Sequence, residues 1–358
     1  MSVGLDDVVA AETALSHVDG EAGRLIIRGF DLEELAGRQS FEAVSSLLWR
    51  DLAAAGDAMA VRHALGAARV AAFPIAERLL PMSAGLSPVE ALRLMLSGLS
   101  DASPIPGHVL VTAAMPVFVA AITRHRDGLA PVAPDAALGQ AADFLRMLRG
   151  QAASPAEIHA LDTYLVTVID HGLNASTFTA RVVASTRAGM VSSVIAGLCA
   201  LKGPLHGGAP GPVLDMLDEI ATPERIRPWL EQALDNGERL MGFGHRVYRV
   251  RDPRADVLKH VAATLRAGAN RIQFADEVER AALAILAERK RSRPLQTNVE
   301  FYTALVLEAL ALPRETFTPV FAVGRVAGWA AHVLEQEAAN RLIRPQSRYV
   351  GPLPKRAA

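Results

Sequence analysis

Apolar residues recur at three- and four-residue spacing along almost the whole chain, and that period predicts helices. Residues 41–52 carry it behind Ser40, a residue type suited to capping a helix start. Residues 58–73, 87–100 and 107–125 continue it in runs rich in alanine and leucine. Two starts share one design, Ser87-Pro88-Val89-Glu90 and Ser154-Pro155-Ala156-Glu157: a capping serine, a proline in the first turn and a glutamate that reaches back. Residues 191–201, 214–220 and 224–236 are predicted helical, as is the long stretch from Arg254 to Lys290, broken at Gly268. Only the first 29 residues read as β, with a turn signal at Asp19-Gly20 before the short run Arg24-Leu25-Ile26-Ile27-Arg28. Strands and helices do not alternate, which disfavours a parallel nucleotide-binding sheet, and no fixed-period repeat is evident. The loops around 128–135 and 149–154 read as surface punctuation. The pattern therefore predicts an all-α fold with a short N-terminal β-hairpin.

Composition narrows the partners. The 358 residues suggest two domains, or one large domain with a smaller companion. Lysine and arginine number 37 against 38 aspartates and glutamates, so the formal charge of −1 points to neither nucleic acid nor an anionic membrane. The single cysteine, Cys199, precludes an intramolecular disulfide and argues against a cysteine-based metal site. The start of the chain is acidic (Asp6, Asp7, Glu12) without a signal-peptide pattern. The most apolar run, 109–123, is interrupted by Pro116 and reads as too short to span a bilayer. The expectation is a soluble, cytoplasmic protein.

Candidate chemistry concentrates in four polar insertions. Gly242-Phe243-Gly244-His245 leads into Arg246, Arg249, Arg251 and Arg254, with Asp252-Pro253 between the last two. Glycines bare the backbone to a ligand, arginine forks match carboxylates, and a histidine among them can donate a proton or a hydrogen bond near neutral pH. The bland reading of those arginines is a solvated basic helix face. Asp170-His171-Gly172-Leu173-Asn174-Ala175-Ser176-Thr177 is a second dense polar stretch, which Asn174 and Ser176 could equally explain as helix capping. His206 stands at a break framed by Gly203, Gly207 and Gly208 with Pro204 and Pro210, where backbone rather than a helix face presents it. Beyond Pro294, Glu300 begins a new element, where a glutamate is often no more than a dipole partner. Arg325 lies in an apolar stretch and needs an acidic partner or an anionic ligand, because a buried unpaired charge costs several kcal/mol (order of magnitude). Arg341 and Arg344-Pro345 add cationic groups to the tail.

Framed histidines, a carboxylate and scattered arginines suit carbanion chemistry beside a carbonyl, on a polycarboxylate. The histidines lack the paired helical spacing of a zinc site, and there is no Gly-x-Ser-x-Gly elbow or Walker loop.

Four motifs in this order, Asp170-His171 with Asn174-Ala175-Ser176-Thr177, Gly203-Pro204-Leu205-His206-Gly207-Gly208, Met241 to Tyr248 with Asp252-Pro253-Arg254, and Asn298-Val299-Glu300-Phe301-Tyr302, resemble those of the citrate synthase family, which includes 2-methylcitrate synthases. The likeness runs through nearly the whole chain and is weakest at about 53–150. It implies a large helical domain (1–206 and 306–358) and a smaller one (207–305) that closes over substrate, in a homodimer with shared active sites. It implies Glu300 as the base that takes the acetyl-CoA methyl proton, His206 as stabiliser of the enol, and His245 as the group that polarises the oxaloacetate ketone. His171, Arg254 and Arg325 would bind oxaloacetate, with Arg344 supplied by the partner subunit. Met241, Gly242, Phe243 and Gly244 would line the CoA adenine pocket. No metal or redox cofactor is implied.

The chain departs from the family's usual run at several points. Glu300 stands where Asp is usual, Gln296-Thr297 replaces Tyr-Pro, Thr303-Ala304 replaces Ser-Gly, and Pro210-Gly211 replaces Asn-Glu. No extended N-terminal domain of the hexameric, NADH-inhibited members is present, so a simple dimer is expected. Two alternatives stand beside an acetyl-CoA enzyme: a propionyl-CoA-using 2-methylcitrate synthase, and a paralogue that binds the ligands as a sensor without efficient turnover. One methylene in an apolar pocket is worth only about 1–3 kcal/mol, so the sequence does not separate the first from the main reading.

Overall fold

The N-terminal alternation folds into a three-stranded antiparallel sheet, β1 (Ser16–Asp19), β2 (Arg24–Ile27) and β3 (Phe30–Asp31), with Ser16 opposite Ile27 and Ile26 opposite Asp31. The computed structural model describes residues 5, 8–54, 56–204, 206, 210–245, 247–265, 269–289 and 295–352. Asp19 turns the first hairpin by accepting the N–H groups of Glu21 (3.1 Å) and Ala22 (2.9 Å) through its side chain. Leu25 and Ile27 point into the core, and the hairpin tip lies against residues 247–250. There the Arg249 N–H donates to the Gly20 carbonyl (2.8 Å). The sheet therefore covers the basic loop rather than standing apart.

The rest is helical, as the 3.6-residue period predicts. The helices are α1 (Leu32–Leu35), α2 (Phe41–Trp49), α3 (Ala58–Leu79), α4 (Pro88–Leu96), α5 (Gly107–Arg126), α6 (Gln140–Arg149), α7 (Pro155–Thr167) and α8 (Ala175–Ala184). They continue as α9 (Met190–Leu201), α10 (Pro210–Ile220), α11 (Ile226–Asp235), α12 (Pro253–Ala262), α13 (Ala269–Arg289), α14 (Val299–Ala309) and α15 (Phe317–Ala339). Ser40 caps α2, and both predicted capping boxes form, at Ser87 with Glu90 and at Ser154 with Glu157. Two expectations change. Helix α3 continues past Phe73 through Pro74, and Pro210-Gly211 open α10 instead of extending the break around His206. Leu205, Gly207, Gly208, Arg246, Gly268 and Pro294 lie outside the described residues.

Helices α5 and α15 form the centre. Every residue of α5 from His108 to Thr123 is buried, and α15 packs against α2, α5, α7, α8 and α9. Both are long and apolar enough to cross a bilayer, contrary to the length expected for 109–123, but most of each is enclosed by the other helices. Two glycines bring α15 close to the end of α7. A Cβ on Gly324 would stand 2.4 Å from a Val168 methyl, and one on Gly328 would stand 2.1 Å from the Ile169 carbonyl. That approach carries Arg325 and Trp329 up to the 170–176 segment.

Candidate active site

His171 is the hub. It follows α7, is buried, and lies in the fields of Arg254, Arg325, His245 and His206, contributed by four other parts of the chain. Burial first, and those cations second, hold its imidazole well below the usual histidine range, so it is neutral near pH 7 (approximate). Its Nε2 lies 3.2 Å from the Tyr248 hydroxyl, and its ring centroid 5.6 Å from that of His245.

Hydrogen bonds fix the proton positions of the other two histidines. The Ser176 N–H, buried in the first turn of α8 where no intrahelical carbonyl reaches it, donates to His206 Nε2 (3.2 Å). A neutral His206 therefore carries its proton on Nδ1 and offers it to the opposite side. The Ser176 hydroxyl, 2.9 Å from the same nitrogen, also accepts from Trp329 Nε1 (3.2 Å) and donates to Asn174 Oδ1 (2.8 Å). Asn174 caps α8 by accepting the N–H groups of Ser176 and Thr177 (both 3.1 Å). The capping reading of this stretch is thus correct, and the cap also positions the amide that orients His206. In His245 the order is reversed. Nδ1 accepts the N–H groups of Val247 (3.0 Å) and Tyr248 (3.1 Å), leaving the proton on Nε2, which lies 3.3 Å from Arg254 Nη2. With the proton on Nε2, this nitrogen and the guanidinium are two donors 3.3 Å apart, an arrangement that an oxygen acceptor from a ligand would satisfy. Burial lowers each of these histidines to about 4, aided by Arg325 at His206 and by Arg254 at His245. Both are neutral hydrogen-bond donors at physiological pH.

The two arginines differ. Arg254, in the first turn of α12, is buried and forked onto Asp252, Nε to Oδ1 at 3.0 Å and Nη2 to Oδ2 at 2.8 Å. Burial opposes its charge, but Asp252 outweighs burial and raises its pKa. Arg325 is 2 % exposed, donates from Nε to the Val168 carbonyl (2.6 Å) and lies over Phe321 (4.8 Å to the ring). It has no carboxylate within ion-pair distance among the described residues. Burial pulls its pKa down to about 10, with Arg254 adding to the drop and Asp170 opposing it. Of the two partners expected for this charge, the acidic one is represented only by Asp170, beyond ion-pair distance.

Glu300 occupies the first turn of α14, its N–H donating to the capping Asn298 side chain (3.0 Å). Burial lifts its carboxyl to about 7, against the pull of Arg254. Asn298 also donates from Nδ2 to the Gly244 carbonyl (2.8 Å), and its N–H donates to the Gly242 carbonyl (2.9 Å). Loop 241–245 is thereby sewn to the start of α14. Gly242 allows this with φ 82° and with no Cβ, which would meet Phe301 at 2.8 Å. Met241 is half-buried beside it, and the Phe243 ring packs at a tilt against Phe301, with centroids 5.4 Å apart.

The chain thus gathers His171, His206, His245, Arg254, Arg325 and Glu300 and sets Met241–Gly244 alongside. Arg344 is elsewhere, exposed on the coil after α15 and outside this cluster. The sequence reading passed over Tyr248, Asp252 as a fork for Arg254, and the Ser176–Trp329 pair. It also passed over a buried relay in which Arg181 donates to His332 Nδ1 (2.9 Å) and His332 Nε2 donates to Asp170 (3.2 Å). Asp252 and Tyr248 stand inside the basic motif and could have been flagged. The relay joins residues more than 150 positions apart and leaves no local signal.

This fold and site define a class: an all-α enzyme that offers neutral histidines, a near-neutral carboxyl and two buried guanidinium groups to a small polyanion. The family model described as "Citrate synthase, C-terminal domain" matches residues 4–346. The citrate synthase of Haloferax volcanii is 39% identical over 97% of this chain and 95% of its own. The crystal structure of citrate synthase from Thermotoga maritima superposes with a TM-score of 0.86 at 32% identity, covering 99% of this chain and 97% of that one. The ternary complex of carboxymethyl coenzyme A and oxaloacetate with the Thermoplasma acidophilum citrate synthase superposes at 0.88 and 28% identity, with 99% and 97% coverage. The chain belongs to the citrate synthase family.

Proposed function

We propose that the protein condenses acetyl-CoA with oxaloacetate and hydrolyses the resulting citryl-CoA to citrate and free CoA. The observation that carries this reading is His171 set among Arg254, Arg325, His206 and His245, with Arg254 also acting on Glu300 and with Arg325 a buried guanidinium without a carboxylate in ion-pair distance among the described residues. Ionised Glu300 takes a methyl proton from acetyl-CoA, and the Nδ1–H of His206 stabilises the enol oxygen. The enol carbon attacks the oxaloacetate ketone, which the Nε2–H of His245 polarises, and the same proton passes to the developing alkoxide. Arg254, Arg325 and His171 hold the carboxylates in line. Water then cleaves the thioester, releasing the CoA thiol. No cofactor beyond the CoA substrate is needed for these steps.

Residues 207–305 form, in this proposal, the part that closes over substrate against 1–206 and 306–358, with the backbone of Met241–Gly244 beside the CoA adenine. The active species is a cytoplasmic homodimer in which Arg344 reaches the partner's site. The relatives named above are called citrate synthases, which favours acetyl-CoA over propionyl-CoA. Thiol release from each acyl-CoA, with and without oxaloacetate, tests both points. Release that requires oxaloacetate and is faster with acetyl-CoA supports the proposal. Faster release with propionyl-CoA would make the protein a 2-methylcitrate synthase, and binding of both ligands without release would leave only a sensor role.

A further inference from the structure

Glu279 sits in the middle of α13, away from the reacting groups, yet three segments that build the site end on its carboxylate. Arg251 Nη1 donates to Oε1 (2.9 Å), and the Thr297 hydroxyl donates to the same oxygen (2.6 Å). Lys259 Nζ donates to Oε2 (2.8 Å), and the Tyr302 hydroxyl lies 2.6 Å from it. The residue is 2 % exposed. Burial alone would raise its carboxyl, but Lys259, Thr297, Tyr302 and Arg251 outweigh burial and hold it at about 2, a fixed anion at any working pH.

We propose that Glu279, acting through Thr297 and Tyr302, is the positioning residue that seats the Glu300 carboxylate. The two hydroxyls lie on either side of Glu300 in the chain, three residues before it and two after. Thr297 adjoins Asn298, whose side chain accepts the Glu300 N–H and donates to the Gly244 carbonyl. A shift at Thr297 therefore passes both to the base and to the loop that carries His245. Arg251 ties the same anchor to the segment holding Asp252, which accepts the Val299 N–H at 3.2 Å. The role rests on Glu300 being the base.

The test uses the full chain and three readouts: kcat for thiol release, the acidic limb of its pH profile, and the rise in Tm that oxaloacetate produces. Thr297→Val is expected to lower kcat by about tenfold, because misplacement of a reacting group by an ångström can cost about 10²-fold. It leaves the oxaloacetate-induced rise in place and moves the acidic limb to lower pH, as water reaches a loosened carboxylate. Thr297→Ser, which keeps the hydroxyl, retains wild-type values. Tyr302→Phe carries the same expectation as Thr297→Val should that variant not fold. The inference is overturned by wild-type kcat and limb in Thr297→Val, by equal impairment in Thr297→Ser, or by a loss of kcat that tracks a loss of oxaloacetate protection. Wild-type protein that releases no thiol would instead sink the reading of Glu300 as a base, and this inference with it.

Discussion

Glu300 lies in a first helical turn, where the dipole favours a carboxylate, yet burial lifts its carboxyl from 4.5 to about 7. Between those values the folded protein keeps a proton that the unfolded chain has released. The stability this group contributes is full below the unfolded value and is lost as pH rises through the folded one, at a cost of roughly 3 kcal/mol (order of magnitude) for holding it ionised. Glu300→Gln is therefore expected to raise Tm by a few degrees in ligand-free protein above about pH 7.5 and to change it little near about pH 5. Thermal unfolding across that range checks this, and an equal effect at both ends would contradict it. The histidines run the other way: lowered to about 4, His206 and His245 withhold their stability as pH falls below the ordinary histidine value. The named histidines, Glu300, Arg254 and Arg325 were legible because each stands in a compact motif or an incongruous setting. Glu279 was not, since its importance lies in partners from other elements.

Helix α8 shows how one element serves stability and chemistry together. Asn174→Ala removes the cap and is expected to cost about 1 kcal/mol. It also frees the Ser176 amide and hydroxyl that hold His206, so kcat should fall as well. Asn174→Asp keeps an acceptor at the cap and should keep Tm. Denaturant unfolding paired with thiol-release kinetics on both variants checks this, and an unchanged kcat in Asn174→Ala would detach the cap from the site. At this scale the sequence was read well where capping signals are local, at Ser40, Ser87 and Ser154. It was read less well where packing overrides propensity, as in α3 running through Pro74. Helix α6 escaped naming between its two flanking loops, although Phe144, Leu145 and Met147 face the core and Gly150 closes it in the left-handed conformation.

Across the whole molecule, the C-terminal coil is what one chain leaves unaccounted for. Leu342, Tyr349 and Val350 are 55%, 69% and 83% exposed, and Arg344 is exposed beside them. In the proposed homodimer this coil crosses to the partner and completes its site. A mixture of Arg344→Ala and Glu300→Ala protein, exchanged between subunits, should then recover about a quarter of wild-type activity, because each mixed dimer regains one intact site. No recovery in exchanged dimers would place Arg344 outside the partner's site. The all-α fold was legible throughout because its period recurs along the chain, whereas the dimer entered only through resemblance.

The most direct test is kcat for oxaloacetate-dependent thiol release from acetyl-CoA, measured from about pH 6 to about pH 8.5 for wild type and Glu300→Gln. The wild-type rate should climb through about pH 7 and level off as the base ionises, and the variant should retain under about a thousandth of the plateau while still being stabilised by oxaloacetate. A variant that keeps more than about a tenth of the plateau rate, or a wild-type profile flat across neutrality, would contradict the assignment of Glu300 as the base.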